Sequence, residues 1–283
     1  FFSYRDALTP LMVSLRGDRT AVFAGEELSI ELFVCNDTHT VSDGHTLVLE
    51  LMDSTGNVVM GGEYDAKFGE NSSFMQGDVC FTAPDVTARE SYTLRAILTD
   101  GTGKVLHYTD ESVEIFPHMA EEPGTAVSVS GEAFLARQEE LTSVAASGKT
   151  IVINGLEPGT YDIAGTEVKV KACGMRALHF VSRKTGHPLV EGFTPYDFRL
   201  WYDTEKDRIT PLLRRTFTAD GMTPILTSGN SLTASAWGQK LYPAFACAEM
   251  KCGNGKIILN EVDLDSHLAN PVARIFKNRL MRY

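Results

Sequence analysis

The chain has 283 residues, a formal net charge of −11, 43% hydrophobic and 22% charged residues. That balance belongs to globular proteins and excludes a disordered chain; the length suits two ordinary domains or one large one. No stretch approaches eighteen consecutive apolar residues, so no membrane-spanning helix is expected. The opening Phe1-Phe2-Ser3-Tyr4-Arg5-Asp6 has neither an initiator Met nor a charged-then-apolar signal segment, which predicts a piece of a longer polypeptide.

Charge divides unevenly. Residues 1–117 hold 7 Lys+Arg against 19 Asp+Glu, and residues 118–283 hold 19 against 18. This asymmetry predicts two modules, and an acidic first half without a dense basic run in the second argues against nucleic acid as a partner. The five cysteines are Cys35, Cys80, Cys173, Cys247 and Cys252. They are odd in number and match no common zinc or redox spacing, which points to free thiols in a reducing, cytoplasmic setting. A Cys35–Cys80 bridge inside the first module is the alternative.

In chain order, Glu27–Cys35 and Thr46–Met52 alternate polar and apolar residues, the period of half-buried strands. The turn Asp53-Ser54-Thr55-Gly56-Asn57 leads into Val58-Val59-Met60. Ser91–Leu98 alternates again, and Asp100-Gly101-Thr102-Gly103 turns the chain into Val105–Tyr108, a hairpin. Closely spaced strands with no helical stretch between them predict an antiparallel β-sandwich of the immunoglobulin kind over 1–117. Residues 118–124, with Pro123 and Gly124 at their end, are expected to be a linker.

Beyond it, Ala126–Ser130 has the character of a short strand, 132–146 shows helical spacing stopped by Gly148, and Lys149–Asn154 is a buried strand. Strand, helix and strand in about thirty residues form a βαβ unit. Ala177–Val181 and Thr223–Thr227 are further strands, with a turn at Ser228-Gly229-Asn230. Ala244–Met250 and Lys256–Val262 flank Lys251–Gly255 as an antiparallel hairpin, and Asn270-Pro271 opens a final helix. Residues 125–283 are therefore expected to be an α/β, flavodoxin-like domain with an antiparallel edge.

Candidate chemistry is sparse. A class I amidotransferase needs a nucleophilic Cys on a glycine-flanked elbow, and Ala172-Cys173-Gly174 lacks the preceding glycine, so a structural thiol is the better account. Gly253-Asn254-Gly255-Lys256 lies between strands and suits a hairpin turn rather than a phosphate cradle. Asp263, Asp265 and His267 resemble a metal cluster, but loop polarity explains them without a fourth ligand. No cofactor is expected. The most unusual stretch is 186–203, where His187, Tyr196, Asp197, Arg199, Trp201, Tyr202 and Asp203 mix rings and charges, with Trp237 as an added member. Rings supply flat apolar area and charges fix orientation, the means of a sugar site or a protein interface; the competing reading is a loop folded over its own core.

Tyr4–Val13, Gly25–Leu28 and Val34–Thr38 resemble the stretch after the catalytic barrel in glycoside hydrolase family 2, the β-galactosidase, β-glucuronidase and β-mannosidase relatives. Residues 186–203, Thr223–Asn230 and Asn270–Arg274 are similar to a degenerate amidotransferase-like module at the C-terminus of some bacterial members. The resemblance implies an immunoglobulin-like domain followed by an accessory α/β domain. It also implies that hydrolysis belongs to two barrel glutamates outside this chain, so the chain alone is expected to be inactive. The implied partner is the barrel of the parent chain, with carbohydrate and a second copy as further partners. A free-standing carbohydrate-binding module and an amidotransferase-like enzyme are the alternatives.

Overall fold

The computed structural model describes residues 8–120, 123–173, 181, 185–194, 196–228 and 244–283. The chain divides into two compact units, Phe1–Met119 and Ala120–Tyr283, a division that lies inside residues 118–124. Strand is the dominant structure of both. Among the described residues no helix is long and apolar enough to cross a membrane.

The first unit holds eight strands: β1 (Leu11–Arg16), β2 (Ala21–Phe23), β3 (Glu27–Asn36), β4 (Thr46–Met52), β5 (Val58–Asp65), β6 (Ser72–Thr82), β7 (Glu90–Thr99) and β8 (Val105–Phe116). They form a three-stranded sheet, β1-β3-β6, and a five-stranded sheet, β2-β8-β7-β4-β5. All pairs are antiparallel except β2 with β8. Leu28, Ile30, Leu32 and Val34 of β3 are buried on alternate positions, as are Leu47, Leu49 and Leu51 of β4 and Leu94, Ala96 and Leu98 of β7. These rows meet in two buried clusters, one around Leu28, Ile30 and Leu94 and one around Leu32, Val34 and Leu98, which removes their apolar side chains from water.

Two turns use one device. Asp53 Oδ1 accepts from the Thr55 N–H and hydroxyl and from the Asn57 N–H, and Asp100 Oδ1 does the same for Thr102 and the Lys104 N–H. The bonds from Thr55 and Asn57 hold the Asp53 carboxyl down at about 2, and the bonds from Thr102 lower Asp100 likewise. The Cys35–Cys80 bridge is excluded by register. Cys80 lies opposite Ser29 and Cys35 opposite Ser73, six residues further along the same pair of strands. At about 3.4 Å per residue that is roughly 20 Å, beyond any disulfide. All five cysteines are free thiols.

The second unit contains β9 (Val127–Ser130), α1 (Gly131–Ala136), α2 (Gln138–Ala146), β10 (Thr150–Asn154), β11 (Gly159–Ile163), β12 (Thr166–Ala172), β13 (Tyr202–Asp203), β14 (Arg208–Ile209), β15 (Arg215–Ala219), β16 (Thr223–Ser228), β17 (Ala244–Cys252), β18 (Gly255–Asn260) and α3 (Pro271–Arg282). Its main sheet runs β11-β12-β15-β17-β18-β10-β9, with β16 also on β17. β9, β10 and β18 are parallel, joined in part by the β9–α1–α2–β10 crossover. The expected single helix over 132–146 is two pieces, broken at Arg137 with φ −129° and ψ 30°. Phe134, Leu141 and Ala145 are buried in the cluster that Ile151, Ile153, Ile257 and Leu259 share.

The flavodoxin-like winding expected over 125–283 is not what the described residues form. Their pairing is antiparallel from β11 through β17 and β18, and one parallel crossover is present. At β11–β12 and β17–β18 the short link between strands is the reason. Ile163 and Thr166 are joined by Ala164-Gly165, both at positive φ (51° and 81°), and such a two-residue link permits only an antiparallel return. The strand proposed over Ala177–Val181 lies, apart from buried Val181, outside the described residues, as does Gly229-Asn230.

Leu98 is fully buried between the two sheets. Leu98→Ala is expected to lower unfolding free energy by about 2–5 kcal/mol in urea titrations. Val59→Ala, on the exposed edge strand β5, is expected to change it by less than about 0.5 kcal/mol. Equal losses from the two variants would contradict the sandwich.

Candidate functional site

Segment 186–203 folds over its own core. His187 precedes a 3-10 turn at Pro188–Val190, and its Nδ1 accepts from the Leu189 N–H, so Nε2 carries the proton and faces Glu249 Oε1 at 3.4 Å. Its ring meets Tyr283 edge-on. Phe193, Phe198 and Trp201 pack in succession, with Phe198 edge-on to Phe276 of α3. Arg279 of α3 lies over Phe193 and donates to the Leu189 and Glu191 carbonyls, stapling the segment to the final helix.

His187, Asp197, Trp201 and Asp203 are therefore interior groups rather than a ring-and-charge surface. Trp201 is 1% exposed and donates from Nε1 to the Asp197 carbonyl at 2.7 Å; Asp197 Oδ2 accepts from the Thr194 N–H. Asp203 accepts from the Glu205 and Lys206 N–H groups and pairs with Lys206 Nζ at 2.5 Å, which with burial opposing holds it at about 2. The physical reason is area: rings of this size release more free energy inside than on a surface, and their polar atoms find partners in the same loop. Tyr196 and Arg199 do face water, with Arg199 stacked 4.3 Å from the Tyr196 ring. Tyr202 is half-buried, with its hydroxyl on Asp207. Trp237 lies outside the described residues.

The structure brings together a different group. β10 is Thr-Ile-Val-Ile-Asn and β18 ends Lys-Ile-Ile-Leu-Asn; the two run parallel with Asn154 opposite Asn260. Asn260 Nδ2 donates to Asn154 Oδ1 and to the Val262 carbonyl, and Asn154 Nδ2 donates to Ser128 Oγ on β9. This amide ladder lines one side of a cavity of about 250 Å³ at the carboxyl ends of the three parallel strands. Val152, Val262, Leu280 and Met281 give it apolar walls. In sheets of this kind the carboxyl edge of parallel strands is where ligands bind.

Glu261, the residue after β18, is 7% exposed and faces this cavity. Its Oε1 accepts from the Leu156 N–H at 2.8 Å, and Oε2 has no partner among the described residues. Burial raises the carboxyl to about 7, against the Leu156 bond and the Arg215 charge, with Glu157 adding to the rise. Arg215 is committed to Glu157 and Lys277 to Asp265, whereas the exposed Arg214 guanidinium has no ion pair among the described residues. Sequence reading passed over Glu261 because it sat within a presumed strand. The available signal was the repeated apolar run ending in Asn, which marks the end of each parallel strand.

The remaining candidates are placed as follows. Cys173 is half-buried and pushed up to about 12, first by burial and then by the Glu261 charge, so it stays a thiol at neutral pH. The elbow residues from Gly174 onward lie outside the described residues. His267 is fully buried; Nδ1–H donates to the Asp263 carbonyl at 2.7 Å, and Nε2 meets the Thr210 hydroxyl at 2.9 Å, so both ring nitrogens are engaged. Among the described residues no group of three or more His, Cys, Asp or Glu is placed to hold a metal. Gly253 and Gly255 form the tight β17–β18 turn, where a Cβ on Gly255 would meet the Lys149 carbonyl.

No family model matches the sequence, and no curated protein matches it at a significant level. Solved structures give partial likenesses. The sporulation control protein Spo0M of Bacillus subtilis is 12% identical over 38% of this chain and 50% of its own, with a TM-score of 0.31. A β-glucuronidase from glycoside hydrolase family 2 is 11% identical over 51% of this chain and 19% of its own, at 0.31. A putative β-galactosidase from Bacteroides fragilis is 9% identical over 53% of this chain and 25% of its own, at 0.28. This chain thus spans half or less of the length of each.

The raised Glu261 carboxyl sets a pH dependence. Because folding favours the protonated form, its contribution is full below the unfolded value near 4.5 and is lost as pH rises to about 7. Relative to Glu261→Gln, the native chain is expected to lose up to roughly 3 kcal/mol across that window, read by denaturant titrations at pH 4.5 and 7.5. Parallel pH curves for the two proteins would remove the assignment. Trp201→Ala is expected to cost about 3–5 kcal/mol, against under about 0.5 for Tyr196→Ala, in the same measurement.

Proposed function

We propose that this chain is a non-catalytic accessory region of a family 2-like glycoside hydrolase, with hydrolysis assigned to the barrel glutamates of the parent chain. The observation that carries the reading is the sandwich itself. The residues that resemble the stretch after the barrel, Tyr4–Val13, Gly25–Leu28 and Val34–Thr38, supply the first half of β1 and the two ends of β3. An antiparallel sandwich is the domain that the resemblance expects there.

The second unit is proposed as an accessory module without an amidotransferase nucleophile, since the Cys173 thiol, held well above neutral pH, argues against glutaminase chemistry. The role is to brace the barrel, to join subunits, or to shape the rim of the sugar pocket. Tyr196 and Arg199, exposed and stacked on each other, with half-buried Tyr202, are the proposed contact surface. A ring with a guanidinium over it offers both apolar area and directed donors.

The test has two arms. The chain alone is expected to leave aryl β-galactosides, β-glucuronides and β-mannosides intact and to show no glutaminase activity; turnover lost on substitution of one of its carboxylates or of Cys173 would overturn the reading. The coding sequence upstream of Phe1 is expected to encode a barrel with two paired glutamates. In that intact enzyme, the double substitution Tyr196→Ala and Arg199→Ala is expected to lower the barrel's Tm or dissociate subunits without changing the melting of the chain alone. An initiation codon directly before Phe1 would also refute the reading.

A further inference from the structure

We propose that the cavity at the carboxyl ends of β9, β10 and β18 is a binding site for a small neutral polyhydroxylated molecule, a monosaccharide or cyclic polyol. Glu261 and Asp263 would accept from its hydroxyls and Arg214 would donate to them. The proposal stands on this chain's own residues and does not depend on which polypeptide the chain is joined to.

Three observations carry it. The first is a partly open cavity of about 250 Å³, with an amide ladder along one side and apolar side chains among its lining. That is room for a small ligand, and a sugar ring has the same two-sided character, apolar C–H faces and polar edges. The second is Glu261. Largely buried and lining the cavity, it spends Oε1 on the Leu156 N–H, and Oε2 takes no hydrogen bond among the described residues. Asp263, which also lines the cavity, uses Oδ1 for the Ser266 N–H and keeps Oδ2 open among the described residues.

The third is charge balance. With Arg215 paired to Glu157 and Lys277 to Asp265, the uncommitted groups are Arg214 against Asp263 and a Glu261 carboxyl raised to about 7, so neither an anion nor a cation is strongly favoured. The open groups are then two acceptors and one multiple donor, Arg214. Hydroxyls answer both demands because each one donates and accepts. They also fit either state of Glu261, which titrates near neutral pH: a hydroxyl accepts from the protonated carboxyl and donates to the ionised one. A ligand ammonium suits only the ionised form.

The experiment is ligand-observed NMR and calorimetric titration of the full 283-residue chain at pH 6 and pH 8. The probes are D-galactose, D-glucose, D-mannose and myo-inositol, with L-glutamine and inorganic phosphate as competitors. At least one polyol is expected to saturate at both pH values, with affinity reduced at least about tenfold by Arg214→Ala at both and by Glu261→Gln at pH 8. Arg214 is exposed, so its variant keeps the fold and decides the matter should the Glu261 variant unfold. The proposal is overturned if no polyol saturates, if Arg214→Ala binds as the native chain does, or if glutamine or phosphate saturates instead. Binding without bond cleavage leaves the accessory reading untouched, so the two can fail separately.

Discussion

The parallel register of β10 and β18 is the constraint on which the second unit turns. It sets Asn154 beside Asn260 in an interior where an amide without partners would be costly, and each amide supplies the other's need. With Asn260 also bonded to the Val262 carbonyl and N–H, the chain leaving β18 is fixed in direction. That direction carries Glu261 inward, its N–H on the Ala246 carbonyl and its carboxyl on Leu156. A satisfied ladder thus holds a buried acid in place. The turn on the other side is equally confined: Gly155 adopts φ +70°, and a Cβ on Gly131 at the start of α1 would stand 2.6 Å from the Gly155 carbonyl oxygen.

The two units reach stability by different means. In the first, alternation sorts β3, β4 and β7 into an apolar face and a polar one, while the edge strands β5 and β6 stay largely exposed. In the second, buried polar groups are numerous: Asn260, Glu261, His267, Asp203 and Asp197 all lie inside. Most are bonded within a few residues of themselves, so irregular segment 186–203 can be interior without leaving backbone or side-chain groups stranded. Such local bonding fixes the segment's own shape, while Phe198 on Phe276 and Arg279 over Phe193 fix it to α3.

Legibility in the sequence followed this difference. β3, β4 and β7 have strict alternation and were readable within a residue or so of their ends, and Asn270-Pro271 announced α3 through a cap and a helix-ready proline. β6 was not readable, because as an edge strand it is largely exposed and carries Phe74 and Met75 outward, which erases the period. The 186–203 segment was noticed for its rings, but composition alone does not tell a surface from a core, and the bonds that draw Trp201 inward come from loop geometry. Glu261 was invisible for another reason: its environment is made by Leu156 and Arg215, distant in sequence and brought near by the parallel pairing of β10 with β18 and the antiparallel pairing of β15 with β17.

The register of β3 and β6 has a further bearing on how the first unit endures its surroundings. Two thiols sit on one sheet in partnered strands, yet each faces a serine hydroxyl, Cys35 near Ser73 and Cys80 near Ser29. Oxidants can therefore tie neither to the other, and reductants find nothing between them to cut. Cohesion in that sheet rests on interstrand hydrogen bonds and buried aliphatic side chains, forces indifferent to electron supply.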